Sequence, residues 1–136
     1  MDILSSAKTL LVIAPHPDDE SLSCGGLLSK WKELRKDSFV LIMNSESKVR
    51  EIETVNSSNV LGYTTIFSPF HNSSGLDINL QTSKFVSYIE EMLSNIKPDV
   101  VCIPNSNAYH QDHRISALTS LIAMRPNGGT QRWRPS

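Results

Sequence analysis

The chain has 136 residues, with 13 basic and 14 acidic side chains, and this length fits one domain that can bury its own core. The formal net charge of −1 excludes a protein that binds nucleic acid through a general basic excess, and two cysteines are too few for a disulfide framework. No apolar run approaches the roughly 20 residues of a membrane span, and the first residues lack a secretory signal pattern, so we expect a cytoplasmic protein without a membrane span.

Four short apolar runs predict the β-strands of the chain. Residues 9–14, 38–43 and 99–103 are largely continuous apolar runs, and residues 64–67 form a weaker one. Runs without polar alternation are typical of strands that are buried on both faces of a parallel sheet.

Helical spacing of apolar residues follows each of these strands. In chain order, the residues that predict the four helices are Leu27, Leu28, Trp31 and Leu34, then Val49, Ile52, Val55 and Val60, then Phe85, Ile89, Met92 and Ile96, and finally Ile115, Leu118 and Ile122. Gly62 is predicted to be the C-terminal cap of the second helix. The Gly25-Gly26 pair fits no phosphate-binding motif, and we interpret it as close backbone packing or a helix kink.

The alternation of strands and helices predicts an α/β fold, a Rossmann-like, doubly wound and mainly parallel sheet with helices on both faces. We assign residues 1–124 to this domain. Residues 125–136 carry three arginines and no acid, and their prolines and glycine pair exclude a regular helix, so we expect an atypical, poorly ordered tail. Ligands of such sheets bind outside the carboxyl ends of the strands, which directs attention to the loops after residues 9–14 and 99–103.

These two loops contain three of the four histidines, and the residue types suit a divalent metal. His16 and Asp19 follow the first strand, and a tight turn brings them to one point. His113, in the first turn of the last helix, offers a third ligand and leaves a coordination position for water. Two histidines and one carboxylate suit Zn2+ and also non-haem Fe2+, so the residues alone do not select the metal.

Three further residues of the loops suit proton transfer and orientation. Asp18 is placed to take a proton from a metal-bound water, and His110 to stabilise an oxyanion or protonate a leaving amine. Asp112 can accept the second ring N–H of a histidine. The alternative for the first loop is ordinary helix capping, and for His110 and His113 it is a solvated helix start. The combination of both loops at one sheet edge favours the metal site.

The segments VIAPHPDDESLSCGG and YHQDHR resemble the two motifs of the LmbE-like or PIG-L family of metal-dependent de-N-acetylases. KVREIETVNSSNVLGY is similar to a family helix with Arg-x-x-Glu that ends in Leu-Gly, and IKPDVV matches the lead into the fourth strand. The resemblance covers residues 8 to about 123 and stops before the part that follows in the generally longer family members. It therefore implies a catalytic domain that is incomplete at its C-terminus.

The resemblance implies hydrolysis of the acetamide of an N-acetylglucosaminyl-type conjugate, a small molecule, usually with zinc. Carried over by motif, His16, Asp19 and His113 would be metal ligands, Asp18 the general base, and His110 the acid or the stabiliser of the tetrahedral intermediate. Arg50 corresponds to an arginine that helps to hold the substrate. His71 lies in a Ser/Asn-rich loop, and we interpret it as solvent-facing.

Two other hypotheses stay open on the sequence. The first is a truncated, inactive relative that serves as a metal-binding or interaction module. A sheet without its last strand would have an exposed edge, which favours homo-oligomers. The second is a metal-dependent hydrolase of another bond, such as an ester.

Overall fold

The computed structural model describes residues 3–70 and 78–125. The expectations for His71 and for the tail from residue 126 onwards lie outside the described residues. Within the described ranges, no helix has both the length and the apolar character needed to cross a bilayer. The elements are α1 (Ile3–Ser6), β1 (Thr9–Ala14), α2 (Asp19–Glu33), β2 (Asp37–Ile42), α3 (Lys48–Leu61), β3 (Thr64–Phe67), α4 (Ile78–Ile96), β4 (Val100–Cys102) and α5 (Gln111–Ala123).

The four strands form one parallel sheet in the order β3-β2-β1-β4. The chain moves outwards from β1 through β2 to β3 and then returns to the other side of β1 with β4. The strand order therefore reverses between β1 and β4, and the loops that follow these two strands meet at the reversal. This confirms the predicted α/β, mainly parallel architecture, with strand boundaries that differ from the predicted ones by one residue at β2 and β4.

Both faces of the sheet are covered, and the alternation of side chains along β1 divides the core in two. Leu11 and Ile13 pack with α4 and α5 on one face, whereas Leu10 and Val12 pack with α2 on the other. The largest fully buried helix side chains are Phe85, Ile89, Leu93 and Ile115 on the first face and Leu28 and Trp31 on the second. Burial on both faces explains why the strands are apolar runs in the sequence.

Helix α3 forms as predicted, but the apolar residues that indicated it do not face the sheet. Val49, Ile52 and Val60 are 65%, 62% and 71% exposed, whereas the polar Thr54 is fully buried. The helix lies beside α2 and over the edge strand β3, where only a narrow strip of it is covered. Apolar spacing indicates a helix without stating which face meets the core. Leu34 and Leu118 are exposed for the same reason.

Gly62 and the Gly25-Gly26 pair differ in what the backbone requires of them. Gly62 ends α3 with φ +75°, in the left-handed region, as predicted for a C-terminal cap. Gly25 and Gly26 lie inside the continuous helix α2, and apart from the adjacent residues and the backbone of that helix, no heavy atom of the described residues lies within 4 Å of a Cβ placed there. The interpretation of the pair as close backbone packing is therefore wrong.

We expect Gly62→Ala to lower the free energy of unfolding by about 1–2 kcal/mol, because alanine is strained at this φ. Its Cβ would also lie 2.9 Å from the Cγ and Cδ atoms of Lys32. Gly26→Ala is the matched control and should raise the free energy of unfolding by about 0.5–1 kcal/mol, since alanine is favoured inside a helix. Urea denaturation measures both, and equal effects of the two substitutions would contradict this account.

Candidate metal centre

The turn after β1 brings His16 and Asp19 together. The Asp19 amide donates to the His16 carbonyl at 3.3 Å, and the His16 amide donates to Oδ2 of Asp19 at 3.0 Å. Asp18, between them, has φ +78° and is the N-terminal cap residue of α2. This closed turn directs the His16 ring and the Asp19 carboxylate to the same side of the sheet edge.

His113 reaches the same point from the first turn of α5. Nδ1 of His16 lies 3.4 Å from Oδ2 of Asp19, and Nε2 of His113 lies 3.3 Å from the same oxygen. The three ligand atoms all lie within 4.8 Å of one another. Atoms bound tetrahedrally at about 2.0–2.1 Å from a zinc ion are themselves about 3.3–3.4 Å apart, so the donor set fits such an ion. A two-His, one-carboxylate set also suits Fe2+.

Asp112 forms a hydrogen bond with Nε2 of His16, the ring nitrogen that points away from Asp19. Nε2 of His16 lies 2.7 Å from Oδ2 of Asp112, and Nδ2 of Asn44 donates to the same carboxylate oxygen at 3.2 Å. Asp112 and Asn44 are each 1% exposed, so this arrangement lies in the protein interior. A carboxylate in this position fixes the ring so that Nδ1 faces Asp19 and His113.

The carboxylates around His16 shift the protonation of the site. Burial favours the neutral ring, but the hydrogen bonds that the ring donates to Asp112 and Asp19 outweigh it and raise the pKa of His16 to about 9. Burial by itself would raise the pKa of the Asp19 carboxyl group, but the contacts with His16 and His113 lower it below the ordinary value of 3.8. The metal-free centre therefore holds an imidazolium between two carboxylates at neutral pH. Binding of a cation displaces this proton.

We expect the metal-free protein to lose stability as the pH rises from about 6.5 to about 9. The pKa of His16 is higher in the folded state than its ordinary value of 6.5, so its contribution is complete below pH 6.5 and is lost as the pH passes the folded value. The loss is at most about 3 kcal/mol. Urea denaturation with a chelator present measures it at several pH values. Asp112→Asn is the control and should flatten this dependence; an equally steep dependence in the variant would contradict the assignment to His16.

Asp18 and Arg50 lie side by side at the outer rim of the centre. Nη1 of Arg50 lies 3.4 Å from Oδ2 of Asp18, and Nη2 of Arg50 donates to the Pro17 carbonyl at 3.3 Å. Asp18 is half exposed, so its carboxylate is accessible from solvent. Arg50 of α3 thus contacts the first loop directly.

His110 lies next to His16 and is the N-terminal cap residue of α5. Its Nδ1 accepts a hydrogen bond from the Asp112 amide at 3.1 Å, so the ring caps the helix. The His110 and His16 ring centroids are 4.7 Å apart in an edge-on arrangement. His16, His110 and Asp112 also form a second group with ligand atoms within 4.8 Å. The structure therefore brings all seven residues singled out in the sequence to one edge of the sheet.

A cavity of about 440 Å³ opens beside Asp19 and His113. Its walls come from the end of β1, from α2, and from β4 with the loop that follows, and most of them are apolar. The sequence did not indicate a role for three residues of this region. Asn44 donates a hydrogen bond to Asp112, and Cys24 and Cys102 line the cavity. Asn44 directly follows the carboxyl end of β2, where the rule for parallel sheets places ligand-binding residues, and that rule would have found it.

The fold and the centre together define a class of protein, a parallel α/β domain with a His-Asp-His group at its topological switch point. The sequence model of the PIG-L family, described as GlcNAc-PI de-N-acetylase, matches residues 11–124. The chain therefore belongs to the PIG-L family, as its motifs indicated.

Individual relatives agree with this assignment. The uncharacterized deacetylase YaiS of Escherichia coli K12 is 28% identical over an alignment of 138 positions that covers 90% of this chain and 73% of that protein. The N,N'-diacetylchitobiose deacetylase of Pyrococcus horikoshii superposes with a TM-score of 0.75 at 21% identity, over 89% of this chain and 51% of that one.

A protein of different activity shares the fold. The 4-carboxy-2-hydroxymuconate hydratase of Pseudomonas putida KT2440 superposes with a TM-score of 0.74 at 14% identity, over 95% of this chain and 62% of the hydratase. The two solved structures therefore show the fold alone. This chain spans about half to two thirds of their length.

Proposed function

We propose that this domain is the metal-binding catalytic part of a zinc-dependent N-deacetylase that removes the acetyl group from a small N-acetylglucosaminyl-type conjugate. The observation that carries the proposal is the convergence of His16, Asp19 and His113 beside a cavity, with Asp18 next to Asp19 in the first loop and the His110 ring against that of His16. Because a hydratase has the same fold, the choice of amide hydrolysis rests on the family and on these residues, not on the architecture.

Each residue has a role in this proposal. His16, Asp19 and His113 hold the divalent ion, which when bound polarises the acetyl carbonyl and lowers the pKa of water. Asp18 accepts the proton of the attacking water, and its half-exposed carboxylate at the rim is accessible to one.

The remaining residues stabilise the reaction intermediate or hold the ligands and the first loop in place. His110 stabilises the tetrahedral intermediate or protonates the leaving amine, since its ring lies against that of His16. Asp112 keeps the His16 ring in place, and Arg50 both steadies the first loop and contacts the substrate at the rim.

The test is acetate release by the zinc-loaded chain from a panel of N-acetylglucosaminyl conjugates and simple acetate esters. We expect release from the amides, with esters cleaved no faster. Ester cleavage without amide cleavage would favour the ester hydrolase. Stoichiometric zinc without any turnover would favour the metal-binding module, a hypothesis that the comparisons do not support.

A further inference from the structure

Two free cysteines come together in the wall of the cavity. Cys24 lies on α2 and Cys102 ends β4, and they are 78 positions apart in the chain. Both are half-buried, both pack against the core on the α2 face of the sheet, and both line the cavity beside Asp19 and His113. Each thiol is the strongest influence on the pKa of the other, so the two side chains are close neighbours. Tertiary structure alone creates this pair.

The pair is separate from the metal centre in its chemistry. Among residues 3–70 and 78–125, the groups of three or more side chains that are close enough to share an ion contain neither cysteine. Cys24 has two neighbours that act on its sulfur. Ser23 Oγ donates a hydrogen bond to Cys24 Sγ at 3.7 Å, and the Cys102 thiol has the largest effect on the pKa of Cys24. A contact between two thiols at an accessible cavity favours reaction with an oxidant over metal ligation.

We propose that Cys24 and Cys102 form a redox modification site, in which a hydroperoxide that enters the cavity converts the two thiols reversibly into a disulfide. The proposal stands on the shared cavity, the contact between the thiols and their accessibility. It does not depend on the reaction that the metal centre catalyses.

The two cysteines have distinct roles in this step. The hydrogen bond from Cys102 lowers the pKa of the Cys24 thiol to about 6, in spite of burial and with a smaller contribution from Ser23. The same hydrogen bond, together with burial, raises the pKa of Cys102. Because the Ser23 hydroxyl also donates to its sulfur, Cys24 is the thiolate that reacts first, and Cys102 is the residue that resolves the product.

The atoms balance with hydrogen peroxide as the oxidant. The Cys24 thiolate attacks one oxygen and breaks the O–O bond, which leaves a sulfenic acid on Cys24 and releases hydroxide that is protonated to water. The Cys102 sulfur then attacks the Cys24 sulfur, the S–O bond breaks, and the hydroxyl group leaves with the Cys102 proton as a second water. Two thiols are oxidised and one peroxide is reduced to two waters. A dithiol reductant reverses the step.

The crosslink would join α2, which carries Asp19, to β4, which precedes the loop and helix that carry His113. Asp19 begins α2, five positions before Cys24, and β4 leads through its loop to His113. A disulfide between α2 and β4 would occupy the wall of the cavity and fix the separation of these two elements. Oxidation of the two cysteines would therefore alter the wall of the cavity through which the metal centre is reached.

The experiment treats the purified, chelator-washed chain with hydrogen peroxide and follows its mass and its thiols. We expect the oxidised protein to be monomeric and about 2 Da lighter, with both thiols lost in denaturant and regained with dithiothreitol. Its Tm should rise by about 5 °C or more, because the bond closes a long loop.

Single variants test the order of the steps. Cys102→Ser should stop at a sulfenic acid on Cys24 that dimedone labels, whereas Cys24→Ser should keep a reduced Cys102 at the same peroxide concentration. Cys24→Ala and Cys102→Ala repeat the test if a serine variant melts at a lower temperature before oxidation. Two intact thiols after peroxide treatment, or a disulfide-linked dimer in place of the intramolecular bond, would overturn the proposal.

Discussion

His113→Ala is expected to abolish stoichiometric zinc binding. His113 is the only one of the three proposed ligands that comes from α5, and its Nε2 lies 3.3 Å from Oδ2 of Asp19. Removal of one ligand of three leaves a two-residue site, and we expect the dissociation constant for zinc to rise by at least about 1000-fold. Elemental analysis after zinc loading and gel filtration should give about one equivalent in the unchanged chain and less than about a tenth in the variant.

A control on the same helix separates ligand loss from damage to the fold. Leu118 is 42% exposed on α5, and Leu118→Ala should retain the full equivalent of zinc. Asp112→Asn should weaken zinc binding by only about 10–100-fold, since Asp112 holds a ligand without being one. One equivalent of zinc in folded His113→Ala protein would refute the ligand assignment.

Asp18→Asn is expected to remove turnover and leave the metal in place. Asparagine has nearly the same shape and cannot accept the proton of the attacking water, so we expect kcat to fall by about 100- to 10,000-fold. Zinc content should be unchanged because the metal ligands are His16, Asp19 and His113. Acetate release and elemental analysis on the same sample make both measurements.

Glu53 provides a matched control for the loss of a carboxylate. Asp18 and Glu53 are both half exposed, and each lies within 4 Å of Nη1 of Arg50, at 3.4 and 3.8 Å. Glu53→Gln removes the same charge beside Arg50 and should change kcat by less than about 3-fold. Full activity of Asp18→Asn would show that another group accepts the proton. An equal loss in both variants would assign the effect to Arg50.

Much of the architecture could be predicted from the sequence, for a simple physical reason. The strand Thr9–Ala14 is buried on both faces from Leu10 onwards, so these positions must be apolar and the run is visible without knowledge of its neighbours. The alternation with helices then limits the topology, and the carboxyl ends of the strands indicate where to search. Six of the seven residues were found by this route because they lie in the loops after β1 and β4 or at the start of α5, whereas Arg50 of α3 was found only through the family resemblance.

Features that depend on contacts across the chain could not be predicted. The spacing of Val49, Ile52 and Val60 indicates a helix, but the buried side of α3 carries Thr54, because packing decides which side is covered. Asn44 has no motif of its own and acquires a role only because β2 ends beside Asp112.

The sequence by itself therefore determined the strands, their order along the chain and the residue types of the centre, since each of these follows from local burial or local chemistry. Only the tertiary structure decided which nitrogen of His16 faces the ligands, that Asp112 and Asn44 support it, and that Cys24 meets Cys102. Contacts between residues 68 to 96 positions apart depend on how the strands pair and the helices pack, and no local pattern encodes them.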